Sequence, residues 1–212
     1  NFHHLDSNVK NYLCILSSDG RFKKVLIDED MIKSNRIFSI AKLKNSTNVI
    51  DSFIYSKEPR LVILTSIGRL FKFDLSNEFL NPSKKQSLGL LLVNLLPTEQ
   101  IVSCCKSKDK DVLYLVSRKG KFFKLNIDDI YDSYNSKLGY VNEKIQLKND
   151  NFMKVLSSNQ YIDIETNKNK SARLNLNKLS ISSGKHILKT NFLNLEKDEY
   201  LENCSRLENY IN

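Results

Sequence analysis

One pattern recurs four times along this 212-residue chain, and any fold must accommodate all four copies alike. An alternating apolar run meets a turn, and a basic run follows it. The copies read Tyr12-Leu-Cys-Ile-Leu-Ser-Ser-Asp-Gly20-Arg-Phe-Lys-Lys-Val, Leu61-Val-Ile-Leu-Thr-Ser-Ile-Gly68-Arg-Leu-Phe-Lys-Phe and Val112-Leu-Tyr-Leu-Val-Ser-Arg-Lys-Gly120-Lys-Phe-Phe-Lys-Leu. The fourth, Tyr161-Ile-Asp-Ile-Glu-Thr-Asn-Lys-Asn169-Lys-Ser-Ala-Arg-Leu, puts Asn169 where the others have glycine, and the turns lie 48, 52 and 49 residues apart. Asn is the non-glycine residue that best tolerates a positive φ, so the turn chemistry survives the change of letter.

Period-2 apolar alternation on both sides of Asp-Gly, Ile-Gly, Lys-Gly or Lys-Asn predicts a β-hairpin in each copy. A second set of glycines, Gly89, Gly139 and Gly184, opens a third strand, with Ile37 at the matching place in the first copy. Val49–Tyr55, Gln100–Cys105, Phe152–Ser157 and Tyr200–Cys204 each close a unit. Four-stranded units of this length cannot bury their faces alone and must stack on neighbours, which predicts an all-β, propeller-like array of about four blades. The expected blades are 10–56, 57–107, 108–158 and 159–205, after a linker at 1–9 and before a tail at 206–212. Pro59, Pro82 and Pro97 all fall in the predicted connections.

The charge repeats with the fold. Directly after the turns come Arg21, Lys23 and Lys24; Arg69 and Lys72; Lys121 and Lys124; Lys170 and Arg173. A second set leads into the third strand: Lys33 and Arg36; Lys84 and Lys85; Lys137; and Lys185 beside His186. Strand-flanking cations also serve solubility and protect sheet edges. Solubility requires neither a fixed position nor a single sign, however, and here 33 Lys and Arg stand against 24 Asp and Glu, a net +9. Blades that radiate would align these positions in a positive belt suited to double-stranded DNA, held largely without regard to sequence and strongly dependent on salt.

Other classes fare less well. The longest apolar stretch, Leu88–Leu96, is interrupted by Gly89 and Asn94 and is too short to cross a bilayer, so no transmembrane segment is expected, and no membrane stands among the expected partners. Residues 1–10 lack the basic and apolar regions of a secretory leader, and an intracellular or organellar setting is expected. Cys14, Cys104, Cys105 and Cys204 form no C-x-x-C pair and read as small core residues. Ser182-Ser-Gly184-Lys185 lacks the first glycine of a phosphate loop, and the three histidines form no ligand cluster. No catalytic centre, metal site or cofactor is expected in this chain. A protein-binding propeller scaffold is one alternative, though the chain has no Trp to form Trp-Asp signatures. An anionic-membrane or RNA-binding β domain using the same charge is another; for RNA, Phe22, Phe71, Phe73, Phe122 and Phe123 do interleave with cations, but strand alternation favours core packing for these rings.

The four-copy pattern resembles the blades of the C-terminal domains of DNA gyrase A and topoisomerase IV A-type subunits, over about residues 10–205. Its most specific piece is Leu88-Gly-Leu-Leu-Leu-Val-Asn-Leu-Leu-Pro-Thr-Glu-Gln-Ile-Val102, similar to a gyrase stretch with a glycine, Val-Asn-Leu-Leu and a later Glu-x-Ile. The resemblance implies a β-pinwheel whose blades exchange a strand, and a non-catalytic role in wrapping DNA to support supercoiling. It also implies partners: a gyrase A N-terminal domain in cis, which carries the DNA-attacking tyrosine, and a gyrase B subunit, with ATP and Mg2+ used elsewhere in the whole topoisomerase. One departure is that Ile32-Lys-Ser-Asn-Arg-Ile-Phe38 stands where gyrases carry a box close to Q-R-R-G-G-K-G, keeping charge at Lys33 and Arg36 but no glycine. With the richness in Asn and Lys, the resemblance points to an apicoplast-type gyrase of an AT-rich parasite genome, or else to a low-GC bacterial cytoplasm.

Overall fold

The structure is a computed structural model. It describes residues 10–33, 37, 39–55, 60–134, 139–141, 147–157, 161–178 and 195–206. The first repeat supplies β1 (Tyr12–Ser17), β2 (Arg21–Leu26), the one-turn helix α1 (Glu29–Lys33) and β3 (Val49–Tyr55). The second supplies β4 (Arg60–Thr65), β5 (Leu70–Asp74), β6 (Leu90–Leu91) and β7 (Ile101–Ser107). The third supplies β8 (Val112–Ser117), β9 (Phe122–Asn126) and β10 (Phe152–Ser157), and the fourth β11 (Tyr161–Thr166), β12 (Ser171–Asn175) and β13 (Leu201–Arg206).

These strands form four small antiparallel sheets, the all-β blades expected from the repeat: β3-β1-β2-β6, β7-β4-β5, β10-β8-β9 and β13-β11-β12. Successive closing strands β3, β7, β10 and β13 pack on one another, so the blades converge there and the hairpins point outward. The hairpin turns take the expected form, with φ of +84° at Gly20, and Asn169 adopts +57° in the place of glycine.

Among the described residues, the third strands of the second and third repeats leave their own repeats. β6, from the second repeat, pairs with β2 of the first blade through Arg21–Leu91 and Phe22–Leu90. In the same way Tyr140 of the third repeat bridges Leu70 and Asp132 bridges Lys72, completing the second blade. Gly20 shows why its junction tolerates no side chain: its carbonyl accepts from the Leu92 and Val93 N–H groups, and a Cβ would lie 2.2 Å from the Val93 carbonyl oxygen. Ser183–Leu188, the expected third strand of the last repeat, lies outside the described residues.

The cores lie between blades rather than within them. Cys14, Leu16 and Phe22 of the first blade pack with Leu61, Ile63, Phe71 and Phe73 of the second. The opposite face of β4, Val62 and Leu64, packs with Leu113, Leu115 and Phe123 of the third. Tyr114, Val116 and Phe122 then meet Ile162, Ile164 and Leu176 of the fourth. A sheet covered on both sides reads as a continuous apolar run, as β4 does, with Leu61, Val62, Ile63 and Leu64 all at 0% exposure. β11 instead alternates Ile162 and Ile164, buried, with Asp163 and Glu165, because the outer flank of the fourth blade faces solvent. Phe22, Phe71, Phe73, Phe122 and Phe123 are all core rings. Cys14, Cys104 and Cys204 are buried as well, and burial pushes the Cys14 thiol up to about 12 and Cys204 to about 11 against the pull of nearby lysines.

Candidate nucleic-acid interface

The cation directly after each turn begins the outgoing strand with its side chain at the hairpin mouth. The residue two positions before the closing strand reaches the same mouth, and in three blades it is acidic. Arg69 forms a bidentate pair with Glu99, its Nε 2.7 Å from Oε1, and donates to the Asn94 carbonyl at 2.8 Å. Lys121 lies 3.6 Å from Asp150, and Lys170 lies 3.0 Å from Glu199. Glu99 and Glu199 also accept from the N–H three residues upstream, of Leu96 and Glu196, each at 2.9 Å. The Glu196 N–H, with Lys170 and Thr166 and against burial, holds Glu199 down at about 2. Burial raises Glu99, but the Arg69 guanidinium and the Leu96 N–H outweigh it and leave the carboxyl below the usual range. In the first blade Thr47 stands at the acidic position, and Arg21 turns to Asp19 at 3.3 Å and to the Gly89 carbonyl of the exchanged segment at 3.1 Å.

In the first two blades the cation three residues further on serves the junction with the next blade. Lys24 donates to the Leu75 carbonyl at 2.7 Å, its ammonium 4.6 and 4.8 Å from the ring centres of Tyr12 and Tyr55. Lys72 reaches the Ile127 carbonyl at 3.4 Å and Asp132 at 3.6 Å. Ile127 follows Gly120 by as many residues as Leu75 follows Gly68, so the two contacts are equivalent. Lys124 is half-buried over Tyr114, 5.8 Å from its centre, and Arg173 pairs in its own hairpin with Asp163 at 2.8 Å on the solvent flank. Lys23 donates to the Ser87 carbonyl of the exchanged segment at 2.9 Å, and burial lowers both Lys23 and Lys24.

This placement corrects the expectation of one continuous belt. Lys23, Lys24, Arg69 and Lys72 are between 3% and 8% exposed, and their charged ends are occupied by carbonyls and carboxylates of this chain. The physical reason is the exchanged strand, which covers the outgoing strand of the preceding blade and makes a buried position out of an edge. An ammonium buried there must find acceptors or lose its charge. The second set lies further out: Lys84 is exposed, Lys85 pairs with Asp28 at 2.8 Å, and Lys33 pairs with Glu29 at 2.6 Å across one turn of α1. Arg36, Lys137 and Lys185 lie outside the described residues, as do positions 34–36 and 38 of the stretch that replaces the glycine-rich box.

Sequence reasoning passed over the acidic halves of the clasps, although Glu99, Asp150 and Glu199 recur with the same period as the turns. It also passed over Arg118, Lys119 and Lys148, exposed at the turn end of the third blade without a carboxylate partner among the described residues. Among those residues no group of three or more His, Cys, Asp or Glu is placed to hold a metal ion, and no helix is long and apolar enough to cross a membrane.

Comparison with solved structures gives a DNA gyrase A C-terminal domain, with a TM-score of 0.71 at 18% identity, covering 94% of this chain and 66% of that one. The fold is the gyrase A-type β-pinwheel. A topoisomerase IV C-terminal domain shares it at TM-score 0.69 and 17% identity, over 87% of this chain and 59% of that one. The C-terminal domain of E. coli ParC shares it at 0.62 and 15%, over 92% and 78%. This pinwheel therefore spans about two thirds of the gyrase domain's length or less of the topoisomerase IV domain's. The family model described as DNA gyrase C-terminal domain, beta-propeller, matches residues 111–130, the β8–β9 hairpin and the turn after it. A comparison with curated proteins gives no match.

Proposed function

We propose that this pinwheel is the DNA-wrapping domain of a gyrase A subunit, bending duplex DNA around its outer rim in support of supercoiling. The observation that carries the reading is the fold itself, strand exchange included, on a chain with a net charge of +9. A curved array of blades offers an outer edge, and a duplex bent along it gains phosphate contacts that offset its bending energy. The contacts fall to cations that the clasps and junctions leave free, Lys84 among those named from the sequence, and Arg36, Lys137 and Lys185, at matching places in the repeats, are proposed on sequence alone. In this reading the breaking and resealing of DNA, with ATP and Mg2+, belong to the rest of the holoenzyme: the gyrase A N-terminal domain and a gyrase B subunit. The Asn and Lys richness fits an AT-rich genome and, together with the gyrase-like stretch at Leu88–Val102, an apicoplast as the compartment, a low-GC bacterial cytoplasm being the alternative.

The test is binding to a long and a short duplex across a salt series, followed by relaxation of bound circular DNA with a type I topoisomerase. Salt-sensitive preference for the long duplex, with superhelical turns trapped after relaxation, is the expected result. Binding without trapped turns would make the chain a tether, and absence of binding would overturn the reading.

A further inference from the structure

The two ends of the blades differ in charge. At one end lie the hairpin turns and the loops before the closing strands, joined in every blade by a backbone bond: Ser18 N–H to Asn48, Ser66 to Gln100, Arg118 to Asn151 and Asn167 to Tyr200. At the other end lie the segments that follow the outgoing strands and precede the hairpins. That second end is richer in carboxylates, with Asp28, Glu29 and Asp30 after β2, the first two paired with Lys85 and Lys33, and Asp128 and Asp129 exposed after β9. Its lysines there are interleaved with carboxylates, as in Lys108-Asp-Lys-Asp111.

At the turn end one carboxylate in each of the second, third and fourth blades is instead drawn inward, while Glu196 and Asp198 of the fourth blade's loop stay exposed, Glu196 paired with Lys168 and Lys170. The side chains of Glu99, Asp150 and Glu199 are at most 1% exposed and are engaged by the clasps, so they screen nothing outside. The third blade has the largest surplus. Its turn carries Arg118 and Lys119 and its adjoining loop carries Lys148, all exposed. Asp150, the only carboxylate among the described residues of that turn and loop, accepts from the Lys119 N–H at 3.1 Å and faces Lys121. The Arg118 guanidinium lies 5.7 Å from the ring centre of Tyr200, and the Arg118 carbonyl accepts from the Leu201 N–H at 2.7 Å, which fixes this corner against the fourth blade. The neighbouring turn of the second blade exposes Ile67 and Leu96, which carry no charge.

From this asymmetry, and resting on the DNA-binding reading above, we infer that wrapped DNA is held toward the turn end, with its phosphates contacted at Arg118, Lys119 and Lys148. Three cations on a corner braced by backbone bonds lose little freedom on meeting a phosphate backbone, whereas the exposed Asp128 and Asp129 at the other end of the same blade repel it. The rim is thus sided as well as curved.

The experiment compares three proteins in the duplex salt series: the unaltered chain, Arg118→Gln/Lys119→Gln/Lys148→Gln, and Lys108→Gln/Lys110→Gln at the opposite end of the same blade. Circular dichroism and Tm confirm that both variants fold. The expected result is a plot of log K against log salt shallower by about 2 to 3 for the turn-end variant, one step of about 0.9 per lost phosphate contact, with the opposite-end variant close to the unaltered chain. An unaltered slope in the turn-end variant, or an equal loss per charge in both variants, would overturn the assignment while leaving DNA binding intact. Failure of the unaltered chain to bind duplex would instead remove the functional reading on which the inference rests.

Discussion

Lys24 and Arg118 carry the same charge within a few residues of equivalent turns, yet one sits between blades and the other faces solvent. What separates them is the acceptor each position can reach. A buried ammonium is retained where a carbonyl stands in its path, as Leu75 does for Lys24. Burying a guanidinium requires a carboxylate as well, as Glu99 provides for Arg69, and removing either partner of such a pair typically costs about 3 to 5 kcal/mol. Glu199 makes this dependence visible through pH. Its carboxyl is held at about 2 in the fold against 4.5 as the ordinary value, so its contribution is complete above 4.5 and is lost as the pH falls toward 2. The gap in Tm between the unaltered chain and Glu199→Gln is therefore expected to be steady above that range and to narrow through it, as read by thermal scans at stepped pH. A gap that does not narrow would mean that the charge of Glu199 does not hold the turn. None of this pairing could be read from the chain alone, because Arg69 and Glu99 are separated by a whole connection and a third strand.

The hairpins were legible because their determinants are local: period-2 alternation, a turn residue at positive φ, and β-branched or aromatic side chains on both arms. The third strands were harder. β6 is two residues long and both are exposed, so it has almost no pattern of its own, and its partner β2 lies a full repeat away. Its existence was signalled by Gly89, whose added Cβ would lie 2.6 Å from the Phe22 carbonyl oxygen, but which blade it joins was available only through resemblance. At the preceding turn, Gly20→Ala is expected to destabilise the chain by about 1 to 3 kcal/mol from the positive φ alone, and by more because of the Val93 carbonyl. Hydrogen exchange at Leu92 and Val93, whose N–H groups bond to Gly20, should accelerate more than exchange in β8. Uniform acceleration would show that the junction is not the site of the damage.

At the scale of the whole molecule, stability should grade with the number of covered faces. β4 and β8 are packed on both sides, whereas β11 is covered on one and alternates with carboxylates on the other. Native-state hydrogen exchange is expected to find the slowest amides in β4 and β8 and faster ones in β11, since exchange from a sheet with one packed face needs only a local opening. Equal protection across all four sheets would mean that the blades unfold as one unit. The radial array and its blade count followed from the repeat, and the buried rings from alternation. The sidedness of charge did not, because it depends on which carboxylates fold inward.

The passing of third strands between repeats also gives the array a grammar. The second repeat finishes the sheet of the first and the third repeat that of the second, so a whole repeat inserted at such a junction finds a vacancy and supplies one. Part of a repeat does neither, and leaves two sheets open. Chains of this design can therefore lengthen or shorten only in whole repeats, and the circumference available to a bound polymer changes in the same discrete steps.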